Sequence, residues 1–207
     1  MIQQVETIKN YHVVISGFLQ TEGKPNGMIR LWRDLHRAQS GPDTLVLLRT
    51  WNDNMDTLAE FIWRLAADDV SVKIYGYSWG GAAAMRLAKG LQKRGIGVRE
   101  MVLSDAVYRH GYWLGNWRAL VPFSTLRVPA NVECVRWLRQ QGGFWKISGH
   151  TIVADCPRKT AVLNPILVTC SHTYMDDLPS FHRIAGNVAA NCASINCVTP
   201  YEREFLL

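Results

Sequence analysis

No apolar run in the sequence approaches the ~20 residues that a membrane-spanning helix requires, which excludes a helical membrane protein. The opening residues, Met1-Ile2-Gln3-Gln4-Val5-Glu6, lack the basic segment and apolar stretch of a secretory leader, so a cytoplasmic, soluble protein is the expectation. The five cysteines (Cys134, Cys156, Cys170, Cys192 and Cys197) are odd in number and include no Cys-x-x-Cys pair. That pattern writes neither a disulfide framework nor a four-ligand zinc site. Free thiols in a reducing compartment follow, and no metal or other cofactor is expected. Gly-x-x-x-x-Gly-Lys-Ser/Thr is absent and the glycines do not fit Gly-x-Gly-x-x-Gly, which removes the common phosphate- and dinucleotide-binding loops. Repeats, low-complexity tracts and linker-like stretches are missing too, so the 207 residues read as one domain. At 19% charged and 48% hydrophobic residues, this is the composition of a chain that folds. The net charge of +6 is a modest basic excess. Arg30, Arg33 and Arg37 fall on one helical face, and Lys89, Lys93 and Arg94 end another helix. Such placements are solvated faces and dipole-complementing ends; no nucleic-acid motif accompanies them.

What is present alternates strand and helix. Tyr11–Ser16 is a short apolar run ending at Gly17, a buried strand. Met28–Gln39 carries a helical pattern stopped by Gly41-Pro42, and Thr44–Leu48 is a second strand leading into a polar loop. Leu58, Phe61, Ile62 and Leu65 mark the next helix by their spacing. Val70–Tyr75 is a third strand, Ala82–Leu91 a helix of small residues, and Met101–Ser104 a fourth strand ending at Asp105. A less regular stretch, 107–130, follows. Val132–Leu138 and Ala161–Val168 read as the last strands and Pro179–Ala190 as the last helix. This order predicts an α/β protein, a mostly parallel sheet with helices on both faces. Ligands bind such sheets beyond the carboxyl ends of the strands.

Gly76-Tyr77-Ser78-Trp79-Gly80 stands at one of those ends, between a β-rich run and a small-residue helix. A serine on a sharp strand-to-helix turn exposes its hydroxyl, and the residues two before and two after crowd the turn, hence the glycines. The short motif alone is weak; its strand–turn–helix context makes it specific.

With Gly81, with Leu103-Ser104-Asp105-Ala106-Val107 and with Ser171-His172-Thr173-Tyr174-Met175-Asp176-Asp177, this motif resembles the catalytic segments of lipase- and esterase-like α/β-hydrolases. The resemblance runs from about Val13 to Ala190 in the family's order. On it, the chain starts at the family's third strand, lacks two antiparallel edge strands, and comes closest in size to minimal, cutinase-like members. It implies a serine esterase with a catalytic triad and an oxyanion hole. The order Ser…Asp/Glu…His asks for a histidine after the last strand. His172 meets that condition, whereas His182 lies inside a helix, His150 lies in a polar loop, and His12 and His36 precede the serine. Asp105 ends the strand after the nucleophile's helix and is the expected acid, with Asp155 as the substitute. Asp176 and Asp177 read as helix caps. The backbone N–H groups of Trp79 and Phe18 are the expected oxyanion donors.

The aromatic side chains of 107–130 suggest an insertion, a lid or a pocket wall, over the catalytic edge. Tyr112, Trp113 and Trp117 there, with Tyr77, are the candidate pocket residues. The substrate expected is a small-molecule or lipid-like carboxylic ester with an apolar part. A thioester, an acyl transfer, or a catalytically dead hydrolase fold used for binding are the alternatives.

Overall fold

The computed structural model describes residues 7–18, 20, 25–108, 124–141 and 149–191, and all that follows concerns these. In chain order they form β1 (Ile8–Ser16), α1 (Gly27–Gln39), β2 (Thr44–Thr50), α2 (Met55–Leu65), β3 (Ala66–Tyr77), α3 (Trp79–Gln92) and β4 (Val98–Ser104). The series continues with β5 (Thr125–Val128), β6 (Val132–Gln140), β7 (Thr151–Ala154), β8 (Ala161–Val162), β9 (Ile166–Val168) and α4 (Pro179–Ala189). The main sheet runs β2-β1-β3-β4-β6-β8, with β9 also on β6, and every pairing in it is parallel. All its carboxyl ends therefore share one edge. The chain leaves β1 first to one side, for β2, and then returns to the other, for β3. That reversal opens a crevice at the carboxyl ends of β1 and β3.

Strands buried on both faces send alternate side chains to opposite layers. Val13, Ile15, Ile74, Met101 and Leu103 join Leu58, Ile62, Leu87 and Leu91 in one layer, under α2 and α3. Val14, Tyr75, Tyr77 and Val102 join Met28, Leu31, Leu35, Phe181 and Val188 in the other, under α1 and α4. The first two helices start on side-chain caps: Asn26 accepts from the Ile29 N–H, and Asn54 from those of Asp56 and Thr57.

Three expectations are revised. The strand expected over 161–168 is two pieces, because Pro165 has no N–H to give β6 and Asn164-Pro165 interrupts the ladder. Within the irregular stretch, 125–128 forms β5, which pairs in parallel with β7 as a separate small sheet; residues 109–123, with Tyr112, Trp113 and Trp117, lie outside the described residues. Asp176 and Asp177 do not cap α4, whose N-cap is Leu178 without a side-chain bond; their carboxylates turn toward α1. Among the described residues no helix is long and apolar enough to cross a membrane.

The layer under α1 and α4 holds a polar group with a thermodynamic consequence. His12, 2% exposed, places Nδ1 3.0 Å from the Tyr75 hydroxyl. Burial, and then repulsion from Lys73, lower its pKa from 6.5 to about 4. The unfolded chain thus takes up a proton first on acidification. Stability from the neutral imidazole is complete above pH 6.5 and drains away toward pH 4, by about 3 kcal/mol. Urea midpoints should fall between pH 7 and pH 5 more steeply for the wild type than for His12→Asn; equal slopes would refute the assignment.

Candidate active site

Four strand ends supply the groups at the shared edge. β3 stops at Tyr77, and Ser78 takes φ 53° and ψ −124° before α3 begins at Trp79. A non-glycine residue held there costs on the order of 1–3 kcal/mol, which the surroundings must impose. They do so through three backbone bonds: Ser78 N–H to Ser104 O at 3.1 Å, and the Gly81 and Val107 N–H groups to Ser78 O at 2.9 Å. The turn also needs room. A Cβ on Gly80 would stand 2.3 Å from the Ile15 carbonyl oxygen, and one on Gly76 would stand 3.0 Å from that of Gly80. Although Ser78 occupies the N-cap position of α3, its hydroxyl makes no capping bond. Instead Oγ lies 2.9 Å from His172 Nε2.

His172 opens a single 3-10 turn, His172–Tyr174, just past β9. Its Nδ1–H donates to Asp105 Oδ2 at 2.6 Å. Asp105 follows β4 with φ 44° and is fully buried. A buried carboxylate must be saturated with donors. The second oxygen, Oδ1, accepts from the backbone N–H groups of Gln140 at 2.8 Å and Gly149 at 2.7 Å. Asp105 is thereby fixed by three bonds, and in the neutral imidazole it holds the proton on Nδ1 and leaves Nε2 as the acceptor toward the serine.

The residues just before Ser78 and Asp105 grip the histidine turn. Tyr77, which precedes the serine, donates its hydroxyl to His172 O at 2.8 Å and stacks its ring on the imidazole. Burial and the nearby carboxylates raise the Tyr77 pKa, so the phenol stays a donor. Ser104, which precedes Asp105, donates Oγ to Met175 O at 2.6 Å. Tyr77 is thus a backing for the histidine rather than an open pocket wall, since only 4% of it is exposed.

The rival groups are occupied elsewhere. His150 Nδ1 accepts from the Tyr108 N–H at 2.7 Å, stitching the loop after Asp105. His182 Nε2 donates to Asp176 O at 2.8 Å. Asp155 pairs with Arg127 at 3.5 Å beside β5, and its N–H goes to Val128 O. Phe18 lies on the loop after β1 and Trp79 is the first residue of α3, with their rings 4.5 Å apart between centroids.

Sequence reasoning missed one feature. Trp51 follows β2 and meets Phe18 and Trp79 in a cluster of three rings, with centroids 4.5 to 5.5 Å apart. Each ring comes from a different strand end, and Phe18 is 43% exposed. The only sequence signal was the position of Trp51 directly after a strand.

A parallel sheet with helices on both faces and a serine turn at its switch point is an α/β-hydrolase fold. The model of the thioesterase-domain family matches residues 27–120, a span that includes Ser78 and Asp105 and stops before His172. Among solved structures, a Lactobacillus plantarum WCFS1 protein assigned as a cell surface hydrolase is similar in fold, at 10% identity and TM-score 0.52 over 96% of both chains. YbtT, a type II thioesterase from the yersiniabactin biosynthetic pathway, is similar at 11% identity and TM-score 0.45, over 90% of this chain and 94% of that one. The Vlm2 thioesterase domain is similar at 13% identity and TM-score 0.43, over 91% and 95%. No curated protein matches the sequence.

Proposed function

We propose that this chain is a serine hydrolase that cleaves an activated acyl bond, a thioester or a carboxylic ester, through an acyl-enzyme on Ser78. The observation that carries the reading is the continuous relay from Ser78 Oγ to His172 Nε2, 2.9 Å, and from Nδ1 to Asp105 Oδ2, 2.6 Å. Oγ attacks the carbonyl carbon while its proton passes to Nε2 and the carbonyl electron pair moves onto oxygen. The N–H groups of Trp79 and Phe18 receive that oxyanion. The bond to sulfur or oxygen then breaks, and His172 returns the proton to the departing thiol or alcohol. Water repeats the sequence on the acyl-enzyme and releases the acid.

The thioesterase-domain match brings thioesters forward beside the esters that the lipase-like motif suggests. Side-by-side turnover of a butyryl N-acetylcysteamine thioester and p-nitrophenyl butyrate, with fluorophosphonate labelling of Ser78, tests the reading. A protein inert to all three reagents would be a binding module on a hydrolase fold.

The rings of Phe18, Trp51 and Trp79 favour an apolar acyl or aryl part on the substrate. Aromatic surfaces contribute most where they bury area against a ligand. Trp51→Ala should raise KM for an octanoyl substrate about tenfold, equivalent to ~1.4 kcal/mol of binding, and leave acetyl turnover unchanged. Equal effects on both chain lengths would count against this acyl site.

A further inference from the structure

The loop that carries the Phe18 donor is held by a half-buried glutamine and a buried aspartate with no part in the relay. Gly17 N–H donates to Gln20 Oε1 at 3.0 Å, and Gln20 N–H donates to Gly17 O at 3.3 Å. Gly17 C=O and Phe18 N–H belong to one planar trans peptide and point in opposite directions. The Gln20 backbone N–H grips that carbonyl while the Gln20 side chain holds the Gly17 N–H, so the side chain keeps the loop in the register that aims the Phe18 N–H the other way. The peptide also lies against the nucleophile, since a Cβ on Gly17 would stand 2.9 Å from Ser78 Cβ.

Gln20 is itself oriented. Its Nε2 donates to Asp176 Oδ2 at 2.5 Å, and the same oxygen accepts from the Gly27 N–H at 2.9 Å, at the start of α1. A carboxylate accepts only, so it forces the amide to present Nε2 to it and Oε1 to Gly17. Asp176 is 2% exposed and sits in the turn that begins at His172 and that Ser104 bolts down at Met175. Burial and Asp177 raise its pKa, against which the Gln20 and Gly27 bonds act. Nothing in α4 uses this carboxylate as a cap.

The geometry points to Gln20 and Asp176 as a positioning unit that holds the Phe18 N–H at the oxyanion site and ties that site to the turn bearing His172. The inference rests on the serine-hydrolase reading above. A displaced oxyanion donor weakens the transition state and leaves substrate binding alone. Gln20→Leu should therefore lower kcat on p-nitrophenyl butyrate by ~10- to 100-fold with KM within about twofold. Affinity for an alkyl trifluoromethyl ketone, whose serine adduct carries the oxyanion, should fall by the same factor. Asp176→Leu should reproduce the loss, and the double variant should be no worse than the poorer single, because both act on one peptide.

A folded Gln20→Leu protein with normal kcat would overturn the proposal. So would a raised KM with unchanged ketone affinity, or losses that multiply in the double variant. If Asp176→Leu fails to fold, Gln20→Leu alone decides. A wild type inert to fluorophosphonate and to ester would instead remove the hydrolase reading and this role with it, a result distinct from two equally active proteins.

Discussion

Ser78→Ala is expected to keep its fold and lose hydrolysis by ~10³-fold or more, with fluorophosphonate labelling abolished. The size of the effect follows from chemistry: among the described residues Ser78 is the hydroxyl on His172 Nε2, and removing a triad nucleophile leaves only residual catalysis. The intact fold follows from the geometry. The hydroxyl makes no capping bond to α3, and the bonds that hold the strained turn use backbone atoms, which alanine keeps. His172→Ala should cost a comparable factor, and the double variant should lose little beyond either single, since nucleophile and base act as one unit. Steady-state rates on one activated ester, with circular dichroism as the folding control, check all three. A folded, fully active Ser78→Ala enzyme would end the serine-hydrolase reading.

Much of the fold was legible because β1, β2 and β4 each contain a compact apolar run with a turn signal behind it. Val13 and Ile15 face one helical layer and Val14 the other, so both-face burial writes an unbroken hydrophobic string. The second sheet was illegible for the opposite reason. Thr125-Leu126-Arg127-Val128 and Thr151-Ile152-Val153-Ala154 are short, half polar, and gain their strand character only from each other. Pro165 was visible, but its effect depends on β6 requiring an N–H there, a fact of pairing rather than of sequence.

At the site, the chain order that the hydrolase resemblance implies, together with the strand ends, nominated Ser78, Asp105 and His172, and the structure sets His172 within hydrogen-bond distance of both other residues. What holds them could not be read. Asp176 beside Pro179 looks like a cap, yet its partner Gln20 lies 156 positions away. Gly149 looks like loop filler, yet its N–H reaches Asp105 across 44 positions. Trp51 meets Phe18 and Trp79 only because three separate strands end at one edge. Local patterns register propensity and burial; these contacts depend on register between distant segments.

Asp105→Asn is expected to lose ~10⁴-fold in turnover, and Asp155→Asn to stay within about tenfold of the wild type. At Asp105 the reason is the direction of each bond. Two backbone N–H groups point at Oδ1 and require an acceptor, so the asparagine must place its oxygen there. Its NH2 then faces His172 Nδ1, donor against donor, and the ring relieves this only by carrying its proton on Nε2. That tautomer cannot take the proton of Ser78. Asp155 faces Arg127 on a partly exposed surface, and a neutral amide costs little there. Gly149→Ala probes the same carboxylate without changing a functional group. Its Cβ would stand 2.5 Å from Asp105 Oδ1 and 2.9 Å from Asp105 Cα, so the acid must move. A shift of that order can cost ~10²-fold. The three variants, compared on one ester with folding verified, separate the possibilities. A near-normal Asp105→Asn beside a dead Asp155→Asn would transfer the acid's role, and two active asparagine variants would leave a Ser–His dyad.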